Sequence, residues 1–208
     1  MSRFFYLICF LSSFFITSCN VSTRKVDTSY LIIENFKLNH YSKDGTKLYM
    51  LETPYSVFNQ TDQSYLLNET NIKFYEKENV KYNVNSDSAK LLNNKFIELK
   101  GNVEINDFND DITIIKSNNF TWNTDKSEFI LEGNVSLVNN IINLNSSKAL
   151  LDKKDDIIMF YNPVKYNYKD KDNIRKYNIS SENAYYNIST KNIIFKSIND
   201  KVKSKLVF

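Results

Sequence analysis

The sequence contains few of the residues that build metal centres or disulfide frameworks. Its 208 residues include one histidine, two cysteines and one tryptophan. A zinc site normally takes several His or Cys ligands, and His40, which we expect in an exposed loop, has no second histidine to act with. Cys9 and Cys19 both lie near the N-terminus, so no disulfide framework is expected in the rest of the chain. The sequence predicts no metal and no cofactor.

Signals of catalysis and of nucleic-acid binding are also missing. The sequence contains neither a phosphate-binding glycine loop nor a nucleophile elbow. The carboxylate pairs Asp110-Asp111 and Asp155-Asp156 lie in polar clusters, which we interpret as solvated turns between strands. The net charge is only +3, and the lysines and arginines are not clustered as a nucleic-acid footprint requires. We therefore predict a protein that is not an enzyme and does not bind nucleic acid.

Long apolar runs are limited to residues 4 to 15, which follow Arg3. This length suits the apolar region of a signal peptide better than a spanning helix of about 20 residues. The run leads into Ile16-Thr17-Ser18-Cys19, which resembles a bacterial lipobox whose cysteine is lipidated. We predict a signal peptide over residues 1–18, lipidation at Cys19, a polar tether over 19–30 and one domain over 31–208. The alternative is a short uncleaved anchor; both interpretations tether the domain to a membrane outside the cytoplasm.

The domain reads as a series of β-strands. Glycine and proline are scarce, at three and two residues, so Asn, Asp, Ser and Lys clusters must form the turns. No window of a dozen residues sustains a helical period, whereas apolar and polar residues alternate with turn signals about every ten residues. This pattern predicts an all-β sandwich, roll or barrel. The predicted strands span residues 33–38, 47–51, 71–75, 80–84, 96–105, 112–116, 120–122, 129–137, 141–144, 149–151, 157–168, 177–179, 184–186, 192–198 and 202–208.

A unit of about thirty residues recurs along the domain. Gly-Asn-Val occurs at 101–103 and again at 133–135, and Asn-Pro-Val stands at the same place in a third long strand, at 162–164. Serine-rich corners at 84–89, 115–120, 144–149 and 179–184 precede these and later strands. Each unit is predicted to be a short strand, a serine-rich corner, a short strand, a tight turn and a long strand. Stacked units of this kind build an elongated sheet structure.

The two Gly-Asn-Val strands each place one apolar face on the same side. A glycine inside a strand usually marks a bulge, a bend or a close approach to the backbone. Here it leaves a gap in the apolar face, which would give curvature or clearance for another group. The residues of the two faces are Ile97, Leu99, Gly101, Val103 and Ile105 in the first strand, and Phe129, Leu131, Gly133, Val135 and Leu137 in the second.

These features together resemble the LptC family. The resemblance rests on the lipobox-like N-terminus, residues 40–53, the corner at 84–89 and the two Gly-Asn-Val strands, and it covers roughly residues 32–195. It implies an elongated, twisted antiparallel β-jellyroll that is open along one side, with Gly45 in an early structural turn. It also implies a periplasmic carrier anchored in the inner membrane, which receives lipopolysaccharide from the permease subunits of an ABC transporter and passes it to an LptA/OstA-like bridging jellyroll.

The implied cargo gives the apolar faces a role. Exposing one acyl chain of a dozen carbons to water would cost on the order of 10 kcal/mol. An apolar groove would shield such chains, and we expect the inward residues to line it. Besides the two Gly-Asn-Val faces, the predicted lining includes Phe120, Trp122 and Phe160. The alternative is that all these side chains simply fill a β core.

The last predicted strand carries Lys201, Lys203 and Lys205 on one face. Lysines on an edge strand discourage unwanted pairing, but the same edge could pair with the next jellyroll and continue the groove. Two further interpretations of the whole chain stay open: a structural surface lipoprotein with a filled core, and a soluble bridging protein of the same fold. A hydrolase of surface glycans has no acid/base pair in the sequence to support it.

Overall fold

The computed structural model describes residues 29–107, 110–126, 128–139, 142–152, 154–169, 176–199 and 201–207. The predicted signal peptide, Cys19 and residues 19–28 of the tether lie outside the described residues. So do Ile141 and Phe208, which the predicted strands included. The described part of the tether ends in a strand, because β1 begins at Tyr30.

Twelve strands account for most of the described chain. In chain order they are β1 Tyr30–Tyr41, β2 Lys47–Asn59, β3 Ser64–Glu76, β4 Asn79–Leu92, β5 Phe96–Asp107, β6 Asp110–Asn123, β7 Glu128–Val138, β8 Ile142–Asp152, β9 Ile157–Lys169, β10 Lys176–Asn187, β11 Ile193–Lys196 and β12 Lys203–Val207.

The strands form one antiparallel sheet in which each strand from β1 to β11 pairs with its neighbour in sequence. The short strand β12 also pairs with β10, beside β11. The predicted all-β class is therefore confirmed. Within the described ranges, no helix is long and apolar enough to cross a membrane.

The serine-rich corners lie inside strands, not between them. Ser86, Ser117 and Ser146 are buried, and each hydroxyl donates a hydrogen bond to the carbonyl two residues further on, at 2.9–3.1 Å. Ser181 makes the same bond at 2.8 Å. We call these four residues the serine column. The short strands predicted on either side of each corner are thus two halves of one bent strand, whose bend is held by a side-chain hydrogen bond.

The Gly-Asn pairs and Asn162-Pro163 supply the other half of each bend. Opposite the serine column, β5, β7 and β9 each contain one more residue than their partners, at 101–102, 133–134 and 162–163. Inward residues accordingly step four positions on β5, from Leu99 to Val103, and three on β4, from Ser86 to Ala89. Such bulges bend a strand and increase its twist. A line of bulges facing a line of serines therefore folds the whole sheet along one axis.

Aromatic contacts show that the sheet closes on itself along this axis. Tyr49 on β2 lies 5.2 Å from Trp122 on β6, between ring centroids. Along a flat sheet these strands would be about 19 Å apart, because neighbouring strands are spaced by about 4.8 Å. Each long strand therefore contributes one half to each of two facing leaves. Leaf 1 is the leaf that contains Tyr49 and Phe74, and leaf 2 is the leaf that contains Trp122 and Phe129. The hairpin turns of the two leaves meet on the side away from the serine column, and we call this line the seam.

The strand prediction missed residues 55–59 and 64–68, which form the leaf 2 halves of β2 and β3, and residues 90–92 in the leaf 2 half of β4. Pro54 lies at the bend, opposite Asn35, which has a left-handed backbone (φ 52°). His40 is also not in an exposed loop. It lies in β1 opposite Tyr49 of β2, and the two rings stack with their centroids 4.8 Å apart.

Candidate functional site

The space between the leaves contains the non-glycine residues predicted to line a groove. Their side chains all point inward, and each residue has at most 3% of its surface exposed. They contact one another across the two leaves, so the interior is continuous and apolar. These residues are Ile97, Leu99, Val103, Ile105, Phe120, Trp122, Phe129, Leu131, Val135, Leu137 and Phe160.

Gly101 and Gly133 do not leave a gap in this apolar face. Both have φ of +76°, and a Cβ on Gly101 would lie 2.4 Å from Oδ2 of Asp87, an exposed side chain. Near Gly133 the neighbour is Asn118, at 3.1 Å. The glycines are needed because L-residues with a side chain rarely adopt this conformation. They contribute curvature. The prediction that they leave clearance for another group is wrong, because a polar side chain already occupies the space beside each of them.

Gly45 occupies the predicted turn. It has φ of +86°, and its N–H donates to the carbonyl of Ser42 at 3.1 Å. The Ser42 N–H in turn donates to the carbonyl of Thr46 at 2.8 Å. This turn joins β1 to β2 at the seam end of leaf 1.

An aromatic cluster joins the leaves near the seam. Phe74 packs edge-on against Trp122 at 5.0 Å and lies 4.9 Å from Phe129, while Trp122 packs edge-on against Phe129 at 5.4 Å. Tyr49 and Phe120 extend the cluster on either side. Aromatic pairs in these geometries contribute about 0.5–1.5 kcal/mol beyond the area that they bury. This cluster therefore holds the two leaves together.

Tyr49 carries an uncompensated polar atom into this cluster. The residue is fully buried, and its hydroxyl has no hydrogen-bond partner among the described residues. Burial raises the pKa of Tyr49 to about 12. A buried hydroxyl without a partner costs about 1–3 kcal/mol.

Replacing Tyr49 by phenylalanine is expected to raise the free energy of unfolding by about 1 kcal/mol at neutral pH. The gain should grow above pH 10. In the unfolded chain a tyrosine ionises near that pH, whereas folded Tyr49 stays protonated to about 12. The contribution of protonated Tyr49 to the stability of the unmodified protein is thus fully present below pH 10 and is lost as the pH rises to 12. Urea unfolding at pH 7 and pH 11 checks this, with exposed Tyr41→Phe as the control. Equal effects of the two substitutions would contradict it.

An ion pair closes the seam beside the aromatic cluster. The Lys81 ammonium on leaf 1 lies 2.8 Å from Oδ1 of Asp156, in the turn between β8 and β9, and 3.2 Å from Oε2 of Glu76. The Tyr82 hydroxyl lies 3.4 Å from the same Asp156 oxygen. We call the Lys81–Asp156 pair the clasp. Asp156 lies in the predicted turn between strands, but its carboxylate is only partly exposed and bridges the leaves.

The surroundings of Lys81 favour the charged clasp. Burial lowers the pKa of Lys81, but the hydrogen bonds that its ammonium donates to Asp156 and Glu76 outweigh burial and leave the pKa raised. Its side chain is only 14% exposed. No sequence pattern links residues 75 positions apart, so the clasp could not be found before the fold was known.

Beside the clasp, a cavity of about 290 Å³ opens between the leaves. We call this cavity the seam opening. On leaf 1 it is bounded by the seam ends of β2, β3 and β4, and on leaf 2 by the end of β6 and the turn after it. Its lining residues are Leu48, Phe74, Tyr75, Glu76, Lys81, Tyr82, Trp122 and Thr124.

A larger depression, of about 390 Å³, lies away from the seam. It is on the outer face of β2 to β5, beside the side chains of Tyr55, Val57 and Leu66. Elsewhere on the outer face, cross-strand ion pairs such as Lys148–Glu132, at 2.7 Å, are about half exposed. Exposed pairs of this kind contribute little to stability.

The edge predicted to meet a partner is formed by two short strands, β11 and β12, which correspond to the predicted strands 192–198 and 202–208. β11 pairs with Asn183–Tyr186 and β12 with Lys176–Ser180 of β10. Lys203 and Lys205 lie on β12 and Lys201 precedes it, and all three are exposed. The Glu182 carboxylate accepts hydrogen bonds from the N–H groups of Ile198 and Asn199, at 2.8 and 3.0 Å, which fixes the crossing between the two strands. The opposite edge of the sheet is β1.

Groups of three or more side chains that could hold a metal ion are absent from the described part of the chain. The described residues provide a long apolar interior, a seam and two strand edges. The fold and the site therefore define an elongated antiparallel jellyroll with an apolar interior.

The family model described as "Lipopolysaccharide-assembly, LptC-related" matches residues 4–169. The chain belongs to this family, and it is a component of lipopolysaccharide transport that acts in the periplasm. Among solved structures, it is similar to LptH of Pseudomonas aeruginosa, the LptA-homologous periplasmic component of the lipopolysaccharide transport device. The identity is 12%, the match covers 61% of this chain and 94% of that one, and the TM-score is 0.48. No curated protein matches the chain.

Proposed function

We propose that the protein is a non-catalytic carrier that holds the acyl chains of lipopolysaccharide between its two leaves. It receives the lipid from the permease subunits of an ABC transporter and passes it to an LptA/OstA-like bridging jellyroll. The observation that carries this proposal is the continuous inward apolar surface from Ile97 to Phe160, in a member of a lipopolysaccharide-transport family. In this proposal only the acyl chains enter the space between the leaves, and the sugars stay in water outside the seam.

Hydrophobic burial supplies the driving force. Each methylene that leaves water contributes about 0.8 kcal/mol, so a dozen-carbon chain gains on the order of 10 kcal/mol between the leaves. In the structure the side chains of the two leaves are in contact, so the leaves must separate to admit a chain. The serine column and the bulges lie on the far side from the seam, which makes them the axis about which the leaves would part.

The second candidate is a structural lipoprotein whose interior is simply a filled core. The nearly complete burial of residues such as Leu99 and Val135 favours it, since these side chains already contact partners. The two candidates differ in whether lipid reaches these positions.

Photocrosslinking distinguishes them. A photoreactive residue at Leu99 or Val135, in the interior, is expected to form adducts with added lipopolysaccharide. The same residue at Ile130, whose side chain faces outward on the strand that carries Val135, is the matched control and should form few. Equal labelling at interior and outer positions, or none at either, would favour the filled core.

The N-terminal anchor is proposed from the sequence pattern of residues 1–19. A signal peptide that ends at Ser18 would leave Cys19 as a lipidated N-terminus on the periplasmic side of the inner membrane. The tether would then carry the jellyroll away from the headgroups.

Metabolic labelling with a radioactive fatty acid tests the anchor. Label is expected in the unmodified chain and in Cys9→Ala, the matched control, but not in Cys19→Ala. Label retained by Cys19→Ala would contradict lipidation at this residue, and absence of label from the unmodified chain would favour an uncleaved anchor.

The edge formed by β11 and β12 is the proposed contact with the bridging jellyroll. Its backbone groups can continue the sheet into a partner by strand pairing. Lys201, Lys203 and Lys205 border this edge, where they would prevent pairing with wrong partners. They could also meet lipid A phosphates, although single exposed lysines bind anions weakly.

A further inference from the structure

The seam opening combines features that no other part of the described molecule brings together. Its walls are aromatic and aliphatic, from Phe74, Trp122 and Leu48, and it leads directly to the aromatic cluster between the leaves. Lys81 lies at its rim with a largely buried side chain. An apolar cleft with a cation at its mouth matches an amphiphile that has an acyl chain and an anionic headgroup.

A second lysine strengthens this charge pattern. The Lys47 ammonium lies 4.5 Å from the ring centroid of Tyr75, which also lines the seam opening. Against the two lysines stand the carboxylates of Glu76 and Asp156, both bonded to Lys81. A phosphate bound at the rim would therefore compete with Asp156 for the Lys81 ammonium, because both are anionic hydrogen-bond acceptors.

We infer that the seam opening is a lateral entry site for the acyl chain of a phosphate-bearing amphiphile, whose headgroup displaces Asp156 from Lys81 and so releases the clasp. This inference rests on the proposed carrier function and adds to it a place of entry. Asp156 is the only carboxylate at the clasp that belongs to leaf 2, since Glu76 lies on leaf 1 with Lys81. Loss of the Lys81–Asp156 bond therefore removes the ion pair between the leaves, while Lys81 keeps Glu76.

Binding of the headgroup and binding of the acyl chain are coupled through their positions. The headgroup acts on the clasp and the chain acts on the aromatic cluster, and both of these join the leaves at this part of the seam. A neutral amphiphile can bury its chain but cannot replace Asp156 at Lys81. An anion without a chain gains nothing from the apolar walls. The site accordingly selects molecules with both parts.

Trp122 provides the test, because it is the only tryptophan in the chain and it lines the seam opening. The full chain is reconstituted in vesicles of zwitterionic phosphatidylcholine, and its emission is quenched by 12-bromododecyl phosphate or by the neutral 12-bromododecyl glucoside. The phosphate probe is expected to half-saturate quenching at a concentration about tenfold lower than the glucoside, because only the phosphate can replace Asp156 at Lys81.

Three variants separate the contributions. Lys81→Met should abolish the preference for phosphate, whereas Lys81→Arg should retain it. Asp156→Asn should tighten binding of the phosphate probe about threefold to tenfold, because the neutral amide competes less well for Lys81. Glu132→Gln, which breaks the outer-face pair with Lys148, is the matched control and should change nothing. The emission maximum of Trp122 without probe reports whether each variant keeps its leaf packing.

The outcomes are distinct. A phosphate preference that survives Lys81→Met, or Asp156→Asn binding no tighter than Glu132→Gln, would overturn the inference. If neither probe quenches Trp122 but interior positions such as Leu99 still crosslink to lipopolysaccharide, lateral entry is wrong and the carrier function stands. If quenching and interior adducts are both absent, the carrier function fails as well.

Discussion

Replacing Gly101 by valine is expected to lower the free energy of unfolding by about 2–5 kcal/mol. Gly101 has φ of +76°, which is unfavourable for any L-residue with a side chain and most of all for a β-branched one. The added Cβ would also lie 2.4 Å from the Asp87 carboxylate. Because this bulge repeats at Gly133, the loss would affect the axis along which the whole sheet is folded. Urea unfolding followed by circular dichroism measures it.

Gly45→Val is the matched control. Gly45 has a similar φ, of +86°, but a Cβ there would meet no atom within 4 Å. It should therefore show only the backbone cost, about 1–2 kcal/mol. If the two variants lose the same stability, contact with Asp87 is not a constraint. If Gly101→Val is as stable as the unmodified protein, the left-handed bulge is not required for the bend.

Replacing Phe129 by alanine is expected to cost about 3–5 kcal/mol, the range for a large aromatic residue in a packed core. Phe129 is fully buried and contacts Phe74, Phe120 and Trp122. The contact with Phe74 joins leaf 2 to leaf 1, so its loss should loosen the leaves as well as leave a cavity. Thermal unfolding and the emission maximum of Trp122 report the two effects separately.

A double-mutant cycle isolates the contact between the leaves. Phe74→Leu combined with Phe129→Leu should show a coupling energy of about 0.5–1.5 kcal/mol. Phe129→Leu combined with Ile194→Ala, at an exposed residue on β11, is the comparison and should show smaller coupling. Additive effects of Phe74→Leu and Phe129→Leu would contradict a leaf-to-leaf contact at this place.

The all-β class and most inward residues could be predicted because period-2 alternation is local. The faces of β5 and β7 follow this period even across the bulges, since Leu99 and Val103 keep the same parity. The paired strands behave differently. On β6 the inward set changes from Ser117 to Phe120, an odd step, and this change makes one bent strand look like two short ones.

Other features depend on contacts that no local pattern encodes. His40 stacks on Tyr49 from the neighbouring strand, and Asp156 reaches Lys81 only because the sheet closes on itself. A glycine inside a strand pattern indicates a bulge or a bend, but the sequence cannot show that Asp87 and Asn118 occupy the space beside Gly101 and Gly133. In the structure both glycines lie on the axis along which the sheet is folded.

The central claim is that acyl chains pass between the leaves, and crosslinking during transport tests it most directly. Membranes that contain the exporter and a photoreactive residue at Leu99 or Val135 are irradiated with and without ATP, with Ile130 as the outward control. The account predicts lipopolysaccharide adducts that depend on ATP at both interior positions and few at Ile130. Repeated absence of adducts at both interior positions, in membranes whose exporter releases lipid, would contradict it.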